Sequence, residues 1–209
     1  GGSAALKVIV TAGGGGAGYC APAQWSPRCR YRLMPLPAGV AEQRRDGVRL
    51  WRCRYQLPIN PPLAGIKHLN RLDQLLARAE WHDPAYAEGL VCSRAGDVVE
   101  ATAANLFVRT ASGWVTPLTD RCGVRGVMRD YLLDELFPAH GVAVAERAVA
   151  ASELQAASEL LVCNALRGIV PVVGLNSGEQ WPVGEQTRQL QRGLAAALPG
   201  YRLEGGDED

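Results

Sequence analysis

Lys67 and Glu100 are the two residues whose types could do chemistry together. Lys67 stands in Gly65-Ile66-Lys67-His68-Leu69-Asn70-Arg71-Leu72, at the mouth of a predicted amphipathic helix, where an amine can serve as a Schiff-base nucleophile. Glu100 falls in Val99-Glu100-Ala101-Thr102-Ala103-Ala104-Asn105-Leu106-Phe107, at the end of a predicted strand. One amine and one acid suit a pyridoxal cofactor, whose carbonyl takes the amine and whose ring nitrogen takes the acid. A lysine at a helix start is by itself most often only solvated, so its neighbours must carry the case.

The helix that would position Lys67 is read from Leu69, Leu72, Leu76 and Ala79, which recur at three- and four-residue steps and predict one apolar stripe over residues 68–81, ended near Asp83-Pro84. Ahead of it, residues 48–56 alternate Val48, Leu50 and Arg52 with Arg49, Trp51 and Cys53, which predicts a strand broken by the prolines at 58–62. After it, residues 88–92, 98–100, 106–109 and 114–116 read as short strands, with turn residues at 94–97 and 111–113, so a run of hairpins should hold Glu100. Residues 126–136 place Val127, Tyr131, Leu132 and Leu136 on one helical face, closed by Pro138 and Gly141. A short helix at 152–157, strands at 160–163 and 169–173, and a helix at 184–198 stopped by Pro199-Gly200 complete the reading. At the other end, residues 6–11 predict a buried strand and 30–33 a second one, on either side of a glycine-rich stretch.

With 209 residues, 47% of them hydrophobic, the chain can bury a substantial core. Lys+Arg 22 against Asp+Glu 21 leaves no electrostatic footprint for nucleic acid or an anionic membrane, which points to a small molecule or a protein partner. Cys20, Cys29, Cys53, Cys92, Cys122 and Cys163 lie far apart, without a C-x-x-C pair or a histidine at ligand spacing, so they read as reduced thiols and no metal site is expected. No apolar run has the roughly 20 residues that cross a bilayer, and no secretory signal opens the chain, so a soluble cytoplasmic protein is expected.

Gly13-x-Gly15-x-x-Gly18 formally matches a dinucleotide fingerprint, but Tyr19-Cys20-Ala21-Pro22 and Pro27 cannot open the helix such a site requires, and no acid ends a second strand. A flexible or substrate-covering loop is the better reading. No Gly-Lys-Ser/Thr is present, which excludes a P-loop.

Four segments occur in a telling order: 65–72, 100–107, Gly123-Val124-Arg125-Gly126-Val127-Met128-Arg129, and Cys163-Asn164-Ala165-Leu166 followed by Pro171-Val172. Together, and over nearly the whole chain, they resemble the fold-type-IV pyridoxal-phosphate enzymes, the family of D-amino-acid and branched-chain aminotransferases and of 4-amino-4-deoxychorismate lyase. Lys67-His68-Leu69-Asn70-Arg71-Leu72 and Cys163-Asn164-Ala165-Leu166 look most like the lyase. The resemblance implies an α+β, D-amino-acid aminotransferase-like fold: a remnant of a small N-terminal α/β domain over 1–34, a linker at 35–39, a large cofactor-binding domain over 40–203 and a frayed acidic tail at 204–209.

It also implies a homodimer binding pyridoxal 5'-phosphate, with Lys67 as Schiff-base lysine and general base, and Glu100 beside the pyridine nitrogen. The phosphate would rest on Gly126, Val127 and Met128, with Asn164 and Ala165 as a second set of contacts. The implied reaction is conversion of 4-amino-4-deoxychorismate to 4-aminobenzoate and pyruvate, the lyase step towards folate. The alternatives are an aminotransferase of the same fold or a truncated, inactive subunit. The last is motivated by departures from the family pattern: an N-terminal segment with a phosphate-clamping arginine has no counterpart here, and Ala12 and Ala17 stand where the lyases tend to carry arginine.

Overall fold

A computed structural model describes residues 4–202; the tail expected to be frayed lies outside the described residues. The chain divides into two compact units, Gly1–Ala38 and Gly39–Asp209.

The first unit is an antiparallel ribbon of β1 (Ala4–Thr11) and β2 (Arg28–Pro35), in register from Ala4 opposite Pro35 to Thr11 opposite Arg28. Alternation puts Leu6, Val8, Val10, Tyr31 and Leu33 on one face and Lys7, Arg28, Arg30 and Arg32 on the other. The expectation of a buried strand at 6–11 is corrected, since Leu6, Val8 and Val10 are all exposed. A two-stranded ribbon has no second layer of its own to cover an apolar face.

The second unit is built on a nine-stranded sheet that closes on itself. Its strands are β3 (Val48–Leu57), β4 (Tyr86–Ser93), β5 (Asp97–Ala101), β6 (Ala104–Thr110), β7 (Gly113–Pro117), β8 (Val144–Arg147), β9 (Val149–Ala150), β10 (Glu159–Asn164) and β11 (Gly168–Leu175). They lie in the order β8-β7-β6-β10-β11-β3-β4-β5-β9, and β5 also pairs with β6, which joins six of them into a ring. β4 to β7 are the expected meander of antiparallel hairpins; β11 with β3, β3 with β4 and β7 with β8 run parallel. One core cluster gathers apolar side chains from the ring strands, including Leu50, Leu90, Leu106, Val162 and Val172. At β3 the predicted alternation holds, with both faces in contact with a core: Val48 and Leu50 join the ring cluster, while Trp51, Cys53, Tyr55 and Leu57 pack with Ala77 and Trp81; the pairing with β4 shifts between Arg52 and Gln56.

Helices cover the outside. A helical run starts with α3 (Val127–Tyr131), passes through a π-helical turn (Leu132–Leu136) and ends as α4 (Phe137–Ala139). With α5 (Glu185–Ala197), it buries Leu132, Leu136, Phe137, Leu190 and Leu194 against Phe107, Leu161 and Ile169 of the ring. The sequence pattern did not reveal α1 (Val40–Asp46), a seven-residue polar helix whose Arg44 is buried and donates to the Arg167 carbonyl. The expected helix at 68–81 is α2, confined to Leu72–Arg78, and its leucines point the other way: Leu69, Leu72, Leu75 and Leu76 are exposed, while Ala77 is buried among Cys53, Leu57, Trp81 and Val91. The smallest side chain lets the helix sit close on the sheet, and the leucine periodicity marks a face without saying what covers it.

Candidate active site

Lys67 is not at the helix mouth as expected; it stands five residues ahead of α2, exposed, in the irregular segment between a bridge at Gly65 and the helix. That segment is held without regular structure. The Arg71 guanidinium donates to the carbonyls on either side of the lysine, from Nε to His68 at 2.8 Å and from Nη2 to Ile66 at 2.9 Å. The Gly65 N–H donates to Gly123 and the Arg125 N–H to Gly65, each at 3.0 Å, which stitches the lysine segment to the chain leading into α3.

Glu100 lies on β5 opposite Asn105 of β6 and is 4% exposed. Burial pushes its carboxyl up to about 7; the Val124 N–H, which donates to Oε2 at 2.8 Å, the charges of Arg71 and Lys67, and a hydrogen bond from the Gln74 side chain work against that rise. Gly123 makes room for the acid. With φ +86° it occupies left-handed backbone space, and a Cβ there would lie 2.6 Å from Val99 Cγ1 and 3.3 Å from Glu100 Oε2. A carboxyl poised near neutrality can keep a facing ring nitrogen protonated, the task expected of it.

The start of α3 follows directly. Gly126 packs so tightly that a Cβ would come 2.3 Å from Asn105 Oδ1, while Asn105 Nδ2 donates to the Val124 carbonyl at 2.7 Å. No side chain caps the helix, so the first-turn N–H groups of Val127 and Met128 stay available for an anion. The Val127 side chain is 80% exposed, consistent with a contribution through its backbone alone.

Across the cavity, Asn164 ends β10 and is spent on structure: Oδ1 accepts from Leu166 N–H at 3.0 Å and Arg167 N–H at 2.7 Å, and Nδ2 donates to the Ala103 carbonyl at 2.9 Å. This wall is pinned by a buried ion pair between Arg167 and Glu88, whose other oxygen accepts from the Thr102 hydroxyl. The Thr102 N–H in turn donates to the Gly89 carbonyl at 2.8 Å.

Lys67, Glu100, Gly126, Met128, Asn164 and Ala165 thus line one open cavity of about 490 Å³, a size that suits a small-molecule cofactor. Val127 is not among the lining residues. An amine, a buried acid and a glycine-opened helix start fit a pyridoxal phosphate. Sequence reasoning did not single out Arg71, Gln74, Glu88, Thr102 or Asn105, which line the cavity too. Arg71 and Asn105 sat inside the quoted motifs and were signalled there; Glu88 declares itself only through Arg167, distant along the chain. Among the described residues no cluster of His, Cys, Asp and Glu could hold a metal, and no helix is long and apolar enough to cross a membrane.

The amino-transferase class IV family model matches residues 1–175, and the chain belongs to that family, whose members are pyridoxal-phosphate-dependent. It is 35% identical over 195 residues to the aminodeoxychorismate lyase of Vibrio harveyi, covering 92% of this chain and 72% of that protein. It matches the crystal structure of 4-amino-4-deoxychorismate lyase from Pseudomonas aeruginosa at 46% identity and TM-score 0.87, covering 92% of this chain and 71% of that one. The branched-chain amino acid aminotransferase of Escherichia coli shares the fold at 22% identity and TM-score 0.77, over 98% of this chain and 66% of that one. The α+β, fold-type-IV architecture expected from the motifs is therefore the observed one.

Proposed function

We propose that this chain is a pyridoxal-phosphate-dependent lyase that converts 4-amino-4-deoxychorismate to 4-aminobenzoate and pyruvate. One observation carries the reading: Lys67, Glu100 and the Gly126 turn meet at one cavity in a chain that is 35% identical to one aminodeoxychorismate lyase and 46% identical to another.

When bound, the cofactor supplies an electrophilic carbonyl and a ring that takes up electron density. Lys67, exposed and lining the cavity, is the residue that would hold the cofactor's carbonyl end, and its amine would be the base that takes the proton from the amine-bearing ring carbon of the substrate. Glu100 would keep a proton at the ring nitrogen, and the Val127 and Met128 N–H groups would hold the phosphate. Cleavage of the carbon–oxygen bond to the enolpyruvyl group aromatises the substrate ring. The proton taken by Lys67 is balanced by the one that turns the released enolpyruvate into pyruvate, so the products together contain every atom of the substrate. The reading carries with it a homodimer, which a size measurement in solution checks.

The test is an assay of the purified, cofactor-loaded protein for pyruvate release from 4-amino-4-deoxychorismate, run beside amino transfer from alanine and from a branched-chain amino acid. Pyruvate with 4-aminobenzoate is expected. Amino transfer without pyruvate would replace the lyase reading with an aminotransferase one.

A further inference from the structure

Arg71 begins α2, its carbonyl accepting the Leu75 N–H at 3.1 Å, and its side chain reaches back over the segment ahead of the helix. Nε donates to His68 at 2.8 Å and Nη2 to Ile66 at 2.9 Å, so one guanidinium holds the two carbonyls on either side of Lys67. Among the described residues no other hydrogen bond holds the backbone of residues 67–70, and no acid stands within ion-pair distance of Arg71. Both ends of this irregular stretch are fixed. Upstream, Gly65 is tied to Gly123 and Arg125, and downstream the buried Ala77 seats α2 on the sheet. A charged donor makes a hydrogen bond roughly twice as strong as a neutral one, and the planar fork sets the direction of both bonds at once. Such bracing matters for a reacting amine, because a misplacement of about 1 Å can cost on the order of 100-fold in rate.

We propose that Arg71 is the positioning residue of Lys67: its guanidinium clamps the two flanking carbonyls and so fixes the place from which the lysine amine meets an aldehyde in the cavity. The inference rests on the reading of Lys67 as the amine that anchors the cofactor, and deepens it by naming what holds that amine. Arg71 also brings positive charge to the cavity, and this effect has its own control in Arg78. Arg78 lies on the same side of α2, seven residues and roughly 10 Å further on, and lines the same cavity. Its Nη1 donates to the Trp81 carbonyl at 2.8 Å and its guanidinium lies 4.4 Å from the centre of the Trp81 ring, so it braces no part of the lysine segment.

The test labels the cofactor-free full chain with borohydride and excess pyridoxal, an aldehyde without the phosphate that a cavity charge would attract. The lysine amine joins the aldehyde carbon with loss of water, and hydride reduces the resulting C=N bond to a stable amine. The sequence holds two lysines, Lys67 and the exposed Lys7, so peptide mass analysis reads the rate at Lys67 against a slow reference in the same molecule. Lys67 should label faster than Lys7 in the wild type. Arg71→Ala should lower that ratio by about tenfold and Arg71→Gln by less, and added methylguanidinium should restore it in Arg71→Ala. Arg78→Met should leave the ratio as it is. Equal ratios in the wild type and both Arg71 variants would overturn the proposal, as would a wild-type ratio near one. An equal fall in Arg78→Met would overturn it too, because cavity charge would then account for the effect. If the ratios move as expected and no pyruvate is formed in the assay above, the lyase reading fails while the clamp stands; if pyruvate is formed and Arg71→Ala labels like the wild type, the clamp fails and the lyase reading stands.

Discussion

Two buried carboxylates line the same cavity and are treated in opposite ways. Glu88 receives the Arg167 guanidinium and the Thr102 hydroxyl, so both oxygens are committed and its end of the cavity is locked. Glu100 receives a backbone N–H and the weaker help of Gln74, with Lys67 and Arg71 acting at longer range, and its carboxyl rises to about 7. A charge that is fully paired gives rigidity, and a charge left short of partners keeps a proton available near neutrality. One acid builds the wall, and the other is the one the proposed function sets against the cofactor nitrogen.

The largest effect expected is at the chemical end. Lys67→Ala should lower turnover by roughly three orders of magnitude or more and abolish covalent labelling by borohydride in the presence of pyridoxal phosphate, with folding intact; retention of labelling would show that another amine anchors the cofactor. Next comes the wall. Arg167→Met leaves Glu88 as an unpaired buried charge and should destabilise the protein by about 3–5 kcal/mol in urea unfolding, while adding Glu88→Gln to it should recover much of the loss. If the single substitution is harmless, the contrast between the two acids collapses.

A smaller effect follows from the sign of the Glu100 shift. The folded apoprotein holds this proton up to about pH 7, whereas the ordinary value for the unfolded chain is 4.5. Stability is therefore lost as pH rises from 4.5 to 7 and levels off above, by on the order of 3 kcal/mol. Glu100→Gln should remove that part of the pH dependence, read as the difference between the two unfolding profiles; parallel profiles would mean that the acid ionises normally. The smallest effect is at the glycine that shelters it: Gly123→Ala, with positive φ and Val99 in the way, should cost about 1–3 kcal/mol and weaken cofactor binding measured by absorbance.

Much of this was legible in the sequence where the signal was local. Turn residues at 94–97 and 111–113 separate the hairpins, and Lys67, Glu100, Gly126 and Asn164-Ala165 do come to one cavity. What escaped depended on partners far along the chain. The bulge in β3 is decided by its pairing with β4, and α1 is held by a buried Arg44 that reaches the Arg167 carbonyl. The outward turn of Leu72, Leu75 and Leu76 shows the limit of periodicity, which finds a face but not its neighbour. Gln74 and Glu88 looked like ordinary polar residues because their importance lies in what stands opposite them.

The closed ring also sets an order of assembly. β4 to β7 are consecutive hairpins, so Glu100 and its cross-strand partner Asn105 meet across the two-residue turn at Thr102-Ala103, with little chain to organise. The ring is sealed only when β11 pairs with β3, bringing Val172 beside Val48. On a growing chain the acid's hairpin can therefore form early, while the Asn164–Arg167 wall that locks Glu88 must wait for the last third of the sequence, so the half of the site that carries the proton is ready before the half that encloses it.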